Sequence, residues 1–302
     1  MTTHVALMGT TASGKSALAL AIGRAHPETE LVSIDSMQVY RGMDIGTAKP
    51  SAAERAEIPH HLIDLADPHE EFTVARFQRE FQDVVAGIEA RNHRALLVGG
   101  TGLYLRAVID GLSIPGRYPE VVQEFEDTDT VQLHAQLSDL DPVAAARMEP
   151  GNRRRIVRAL EVTVGSGRRF SSYGPGLEAY PPTPFRLVGV SLPSAIVSDR
   201  IAARYRDQLA SGFVEEVCVL AARPQGLSRT ATQALGYREL LAHLRNEVGL
   251  DEAIDEAIRR TRQFARRQRA WFRRDPRIEW LTAEDDPLEV LPSLDRVVCG
   301  QT

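Results

Sequence analysis

Eight consecutive residues near the start of the chain, Gly9-Thr10-Thr11-Ala12-Ser13-Gly14-Lys15-Ser16, satisfy the pattern G-x-x-x-x-G-K-[ST]. Glycines let backbone N–H groups converge on an anion, and the N-terminus of a following helix adds positive potential. The Lys15 ammonium would reach a terminal phosphate, and the Ser16 hydroxyl is the type of group that ligates Mg²⁺. The pattern is the ATP-binding type of loop; it specifies a polyphosphate and leaves open whether that is ATP. The second acid of nucleotide-hydrolysing proteins, an Asp closing an apolar strand, is missing where it is expected, because the third apolar run ends in Gly99-Gly100-Thr101. The second run, Leu31 to Ile34, does end in an acid, Asp35. In a doubly wound sheet that residue lies at the carboxyl edge beside the phosphate loop. A carboxylate there serves as a metal helper or as a general base, and both roles stay open.

These residues need elements to position them. The apolar run His4 to Met8 reads as a buried strand, and Ser16 to Ala25 as a helix burying Ala17, Leu18, Leu20, Ala21 and Ile22. Leu31–Ile34 is a second strand, Thr73–Ala90 a helix, Ala95–Val98 a third strand, and Thr101 or Gly102 to Ile109 a further helix. Alternating strands and helices predict a parallel sheet. From Pro115 to Pro184 no good strand is found. Short helical segments fall near 118–125, 130–137, 142–148 and 153–164, and Gly174–Pro184 reads as a return linker. Arg186–Val190 resumes the sheet, with helices over Ser194–Ala210 and Val214–Ala222. The expected fold class is α/β: a P-loop NTPase-like parallel sheet flanked by helices, residues 1–114 and 185–302, interrupted by a small all-helical insertion at 115–184.

The 302 residues are 43% hydrophobic and 25% charged, with 36 Lys and Arg against 41 Asp and Glu and a net charge of −5. That composition excludes disordered, collagen-like and membrane classes. No run approaches the roughly 18 apolar residues of a transmembrane helix. Met1 to Leu7 has no basic n-region and no cleavage-type site, so a signal peptide is not expected. Cys218 and Cys299 stand isolated, without metal spacing or a disulfide framework. A cytoplasmic protein is the expectation. Of the 36 basic residues only Lys15 and Lys49 are lysines. Background drift toward Arg accounts for the other 34, but not for positions that kept a compact ammonium where Arg would bring a planar fork. The phosphate loop accounts for Lys15; Lys49 has no role that spacing supplies.

The segment Asp35-Ser36-Met37-Gln38-Val39-Tyr40-Arg41-Gly42-Met43-Asp44-Ile45-Gly46-Thr47-Ala48-Lys49-Pro50 resembles the tRNA dimethylallyltransferases, also called tRNA isopentenyltransferases. The likeness continues in family order through His60-His61-Leu62-Ile63-Asp64, Val98 to Tyr104, Arg154 to Glu161, Leu235 to Arg238 and Arg266 to Arg273. It covers residues 5 to about 280. The resemblance implies transfer of a dimethylallyl group from dimethylallyl pyrophosphate to N6 of adenosine 37, beside the anticodon, in tRNAs reading codons that begin with U. The phosphate loop would then hold a leaving pyrophosphate, with Mg²⁺ as helper, and a hydrolytic second acid is dispensable. The resemblance makes Asp35 the base that accepts the N6 proton, and assigns Thr101 and Arg204 to pyrophosphate binding and charge stabilisation. It also implies that the stacked base is extruded into a channel, held by Asp35, Ser36, Met37 and Gln38. Family tRNA contacts fall on Thr101, Arg154, Arg155, Ile156, Val157, Arg158, Gln233, Tyr237, Arg238, Arg266, Arg267, Arg269 and Arg273. Gln233 stands where some members carry Arg. A monomer acting on the anticodon stem-loop is expected.

Charge spacing points to RNA independently. Arg259, Arg262, Arg266, Arg269 and Arg273 recur every three or four residues, and Arg260, Arg267 and Arg274 every seven. At 100° per residue these fall within about half the circumference of one helix, opposite Ile254, Ile258, Ala265 and Phe272. No acid lies between Arg259 and Arg274, whereas a merely solvated face mixes signs. Arg153, Arg154, Arg155 and Arg158 form a second cluster. A small-molecule P-loop kinase explains the phosphate loop but not the arginine helix. An isopentenyltransferase of free adenine nucleotides has no use for two basic surfaces. A non-catalytic RNA-binding protein leaves Lys15, Ser16 and Asp35 without a task.

Overall fold

The computed structural model describes residues 4–300; residues 1–3 and 301–302, and with them the first residues of the expected leaderless N-terminus, lie outside the described residues. The chain divides into two compact units, one running up to Ile109 and resuming at Pro182, the other Asp110–Pro181.

In the first unit the elements follow as β1 Val5–Gly9, α1 Lys15–Ala25, β2 Thr29–Ile34, α2 Ala52–Glu57, β3 His60–His61, α3 Val74–Ala90, β4 Arg94–Gly99 and α4 Gly102–Ile109. The second unit holds α5 Pro119–Glu124, α6 Thr130–Leu140, α7 Pro142–Ala146 and α8 Arg153–Ser166. The first unit then resumes with β5 Arg186–Ser191, α9 Ser194–Ala210, α10 Phe213–Ala221, α11 Tyr237–Leu244, α12 Leu250–Phe272, β6 Glu279–Thr282 and α13 Leu291–Val298.

Among the described residues, six strands form one all-parallel sheet in the order β3-β2-β4-β1-β5-β6. Parallel strands are covered on both faces, so they read as apolar runs rather than alternations; every residue of β1 is buried. The register decides the site. Met8 and Ile34 both pair with Gly99, and Gly9 pairs with Val190. Thr10, Asp35 and Gly100-Thr101 therefore leave the sheet side by side at its carboxyl edge. From β1 the chain winds to β4 and β2 on one side and to β5 on the other, the switch point at which ligands bind in open α/β sheets.

Local chemistry sets the element ends. Gly14 precedes α1 with φ +86°, a left-handed conformation that favours glycine. Thr73 accepts from the Arg76 N–H at the start of α3, which buries Phe77, Phe81 and Ile88. The edge strands β3 and β6 carry no apolar run that sequence could signal, and the helices α2, α11 and α13 were likewise not anticipated. In the second unit α5–α8 enclose Val121, Phe125, Leu133, Leu137, Ile156 and Leu160. Buried Asp141 fixes that unit by accepting from Ala144 N (3.1 Å), Ser171 N (2.7 Å) and Ser171 Oγ (2.7 Å).

Candidate active site and nucleic-acid interface

The phosphate loop Gly9–Ser16 is held from outside as well as by its own turn. Arg204 Nη1 on α9 donates to Thr11 Oγ1 (2.9 Å), and Arg200 Nε, one turn earlier, donates to Ala12 O (3.0 Å). Lys15 Nζ folds back onto Thr10 O (2.5 Å) and Ser13 Oγ (3.5 Å). Ser16 is exposed in the first turn of α1.

Asp35, Lys15 and Arg204 share one electrostatic neighbourhood. Burial draws the Lys15 ammonium down from its ordinary 10.5 to about 8; Asp35 opposes that shift and Arg204 reinforces it. Burial also lowers the Arg204 guanidinium, with Tyr205 and Asp35 opposing. The Tyr104 phenol is pushed up, by burial first and then by Tyr40 and Asp35. Arg204 Nε is buried with no hydrogen-bond partner among the described residues, and a buried donor left unpaired is what an anion satisfies.

Asp35 itself is half-buried, with Oδ1 accepting from the Met37 N–H (2.8 Å). Thr101 Oγ1 accepts from Ser36 N (3.3 Å), tying the turn after β4 to the turn after β2. Gln38 is engaged within the protein: its Oε1 accepts from Ser33 Oγ (2.7 Å), and its Nε2 donates to Thr47 O and Ala48 O (3.2 Å each). Lys49 acquires a role here. Its side chain is 1% exposed, and its ammonium donates to Tyr40 O (2.8 Å), Asp44 Oδ1 (2.5 Å) and Asp64 Oδ1 (2.7 Å). It pins the 35–50 segment to the loop that follows β3. Glu216 on α10 holds the same segment by accepting from Asp44 N, Ile45 N and Gly46 N.

Five of the residues expected to contact RNA are buried or engaged within the protein. Tyr237 is wholly buried, packed edge-on against Phe213, and its hydroxyl donates to Glu216 Oε1 (2.5 Å), so it holds α11 to α10. Ile156 is wholly buried in the core of the second unit, with Val157 half-buried against it. Arg158 donates to Gly116 O and Pro115 O (2.9 Å each) and pairs with Glu161 (2.8 Å). Arg269 on α12 donates to Leu192 O (2.6 Å) and Ser194 Oγ (2.8 Å) at the start of α9.

The arginine face of α12 is accordingly narrower than periodicity implies. Arg259 and Arg260 pair with Glu256, one turn before the acid-free stretch, Arg260 also with Glu239, and Arg262 leans on Ser198 O. Arg266, Arg267, Arg273 and Arg274 are exposed, as are Gln233 and Arg238. In the second unit Arg154 and Arg155 are exposed, while Arg153 donates to Thr128 O, Phe125 O and Glu126 O. The buried seam of α12 is Ala253, Ala257, Thr261, Ala265, Gln268 and Phe272; Ile254 and Ile258 are half-buried beside it.

Sequence reasoning missed Gln268, whose amide reaches the phosphate loop. Its position, diametrically opposite the exposed arginines at 100° per residue, was the available signal. It also missed a meeting of His26, Asp295 and Cys299, whose ligand-type atoms lie within 4.8 Å of one another at the far end of α1. The His26 Nε2–Asp295 Oδ1 distance of 2.6 Å is that of a direct hydrogen bond.

A phosphate loop opening α1, with a carboxylate and a threonine from adjacent strand ends beside it, defines an α/β protein of the phosphate-loop class. The IPP transferase family model matches residues 38–275. The chain is 47% identical over 297 residues to the tRNA dimethylallyltransferase of Kineococcus radiotolerans, covering 95% of this chain and 93% of the other. It is similar in structure to the tRNA isopentenylpyrophosphate transferase of Bacillus halodurans, with TM-score 0.72, 36% identity and coverage of 99% and 96%. A eukaryotic dimethylallyltransferase acting on tRNA matches with TM-score 0.81 and 25% identity, over 99% of this chain and 80% of that one. The chain belongs to the IPP transferase family, and is an enzyme of the tRNA-prenylating kind.

Proposed function

We propose that the enzyme transfers a dimethylallyl group from dimethylallyl pyrophosphate to N6 of adenosine 37 in tRNAs reading codons that begin with U. The observation that carries this reading is the grouping of the Lys15 ammonium, the Arg204 guanidinium with its unpaired buried N–H, and the Asp35 carboxylate at one edge of the sheet. Two cations beside a loop of backbone N–H groups suit a pyrophosphate, and a carboxylate next to them suits an amine that must lose a proton. The N6 lone pair attacks the allylic carbon as its C–O bond to pyrophosphate breaks. The new C–N bond forms while Asp35 accepts the N6 proton, which yields N6-(dimethylallyl)adenosine and pyrophosphate. Arg204, Lys15 and Thr101 stabilise the charge gathering on the leaving group. The donors available at the loop, the exposed Ser16 hydroxyl and phosphate oxygens, are hard oxygens that fit Mg²⁺; when bound, the ion supplies further neutralisation of the pyrophosphate.

Extrusion of adenosine 37 brings N6 to Asp35. For Gln38 to read the adenine edge, as a carboxamide can in two places, it must exchange its present Thr47 and Ala48 partners. Exposed Arg154, Arg155, Arg238, Arg266, Arg267 and Arg273 would hold the RNA backbone, and the enzyme would act as a cytoplasmic monomer.

Mass spectrometry of tRNA after incubation with dimethylallyl pyrophosphate and Mg²⁺ tests the reaction, with AMP and an anticodon stem-loop as competing acceptors. Preferential prenylation of AMP would overturn the tRNA assignment. Asp35→Ala is expected to lower turnover by about 10²–10⁴-fold and to leave tRNA affinity nearly intact. Lost binding with unchanged turnover would remove Asp35 from the proton transfer.

A further inference from the structure

Gln268 lies on the buried seam of α12, 6% exposed, and both ends of its carboxamide are engaged. Oε1 accepts from the Thr11 N–H in the phosphate loop (2.8 Å), and Nε2 donates to Gly100 O in the turn after β4 (2.9 Å). One planar group therefore spans the two segments that flank the carboxyl edge of the sheet. The contact is close: a Cβ on Gly100 would stand 2.3 Å from Gln268 Nε2 and would displace the amide from its present position. One turn further along α12, Trp271 packs so closely on Gly102 that a Cβ there would stand 2.2 Å from Trp271 Nε1. Thr101, between those two glycines, is thus placed by a single helix.

From this geometry we infer that Gln268 is a positioning residue: it fixes the phosphate loop and the Thr101 turn in one frame, at the spacing that receives the pyrophosphate of the donor. The amide is the side chain for this task because it offers an acceptor at one end and donors at the other in a single plane, and the two backbone groups it serves are a donor and an acceptor. Thr11 is doubly restrained, since its hydroxyl accepts from Arg204 while its N–H donates to Gln268. Removing the amide frees the Thr11 N–H and the Gly100 carbonyl together, and the loop and turn lose their common reference. A misplacement of the reacting parts by a fraction of an ångström is felt in rate as well as in binding. The inference rests on the loop binding pyrophosphate, as proposed above.

The test compares the wild-type enzyme with Gln268→Met, which keeps the side-chain volume without the amide, and Gln268→Glu, which keeps an acceptor for Thr11 N but faces the Gly100 carbonyl with no donor. Four quantities are read: thermal midpoint, tRNA Kd, the constant for inhibition by pyrophosphate, and kcat. Both variants are expected to weaken pyrophosphate inhibition and to lower kcat by about tenfold or more, with tRNA Kd unchanged. A residue that merely stabilises the fold would lower the thermal midpoint and leave the pyrophosphate constant and kcat of the folded fraction at wild-type values; that result, in either variant, overturns the assignment. Should Q268M not fold, Q268E carries the same comparison. Failure of the wild-type enzyme to prenylate tRNA would count against the proposed reaction, whereas the pyrophosphate constant measured directly by titration would still decide the role of Gln268.

Discussion

Lys49 shows why an arginine-rich chain keeps a lysine. Its ammonium meets three oxygens, Tyr40 O, Asp44 Oδ1 and Asp64 Oδ1, at 2.8, 2.5 and 2.7 Å. An –NH₃⁺ group has three donors about one point, while guanidinium presents a flat fork that cannot converge on three acceptors so placed. Lys49→Arg, although it conserves charge, is expected to cost about 1–3 kcal/mol, read as a lower midpoint in urea; equal stability would show that charge alone is required there. Lys15 is the complementary case. With its ammonium drawn down to about 8 by burial, the free enzyme holds the charge below that pH and loses it as pH rises through it. The kcat/KM for the pyrophosphate donor is expected to fall above about pH 8, while kcat, measured with the anionic donor bound beside the ammonium, holds to higher pH. A flat kcat/KM from pH 7 to 10 would show that Lys15 does not meet the donor as a cation.

At the scale of elements, the amino end of the sheet is bound by a charge network as specific as the site at its other end. Glu30 on β2 is almost wholly buried and accepts from Arg91 (2.9 and 2.8 Å), from His61 on β3 (2.6 Å) and from His93 ahead of β4 (2.8 Å). Burial alone would raise its pKa, but the hydrogen bonds from Arg91, His61 and His93 outweigh it and hold the carboxylate at about 2, below its ordinary 4.5. Because the folded value is the lower one, the stabilisation is complete above the unfolded value and is lost as pH falls from about 4.5 towards 2. Glu30→Gln is expected to flatten the loss of stability over that window, measured as midpoint against pH; an unchanged acid limb would place the dependence elsewhere. Helix α12 combines both kinds of surface. Its one face carries exposed arginines and its other carries Gln268 and Phe272, so the charge pattern and the packing pattern are the same periodicity seen from opposite sides.

For the whole molecule, a net charge of −5 hides the partner it suits. Arg266 and Arg267 stand exposed on α12, Arg273 and Arg274 in the turn that follows it, and Arg154 and Arg155 on α8, while many remaining arginines are engaged with carboxylates or carbonyls. If the exposed groups meet phosphates, log Kd for tRNA rises steeply with log salt, and each contact removed lowers the slope by about 0.7–0.9. Arg266→Ala with Arg267→Ala is expected to reduce the slope by about 1–2, whereas Arg269→Ala, which loses bonds to Leu192 O and Ser194 Oγ, should act through stability instead. A full salt slope in the double variant would move the RNA interface off this face. Among the described residues no helix is long and apolar enough to cross a membrane.

The sequence by itself determined what depends on local pattern. The phosphate loop, the strands β1, β2, β4 and β5, the helices α1, α3 and α4, and the four helices of the second unit follow from apolar periodicity and from the chemistry of glycine at turns. Asp35 stood out because it ends an apolar run, whereas Thr101 was singled out only by the family resemblance. What depends on residues distant in the chain was decided only by the tertiary structure: the two-residue β3 and the edge strand β6, the 257-residue separation between Thr11 and Gln268, and the burial of Tyr237 and Ile156. The same holds for arginines. Spacing on a helix says that they share a face, but whether a guanidinium meets solvent or a neighbouring carbonyl depends on which element packs there. Lys49 is the plainest instance: the residue type was conspicuous in the sequence, and its three oxygens, from Tyr40, Asp44 and Asp64, were brought to it by the fold.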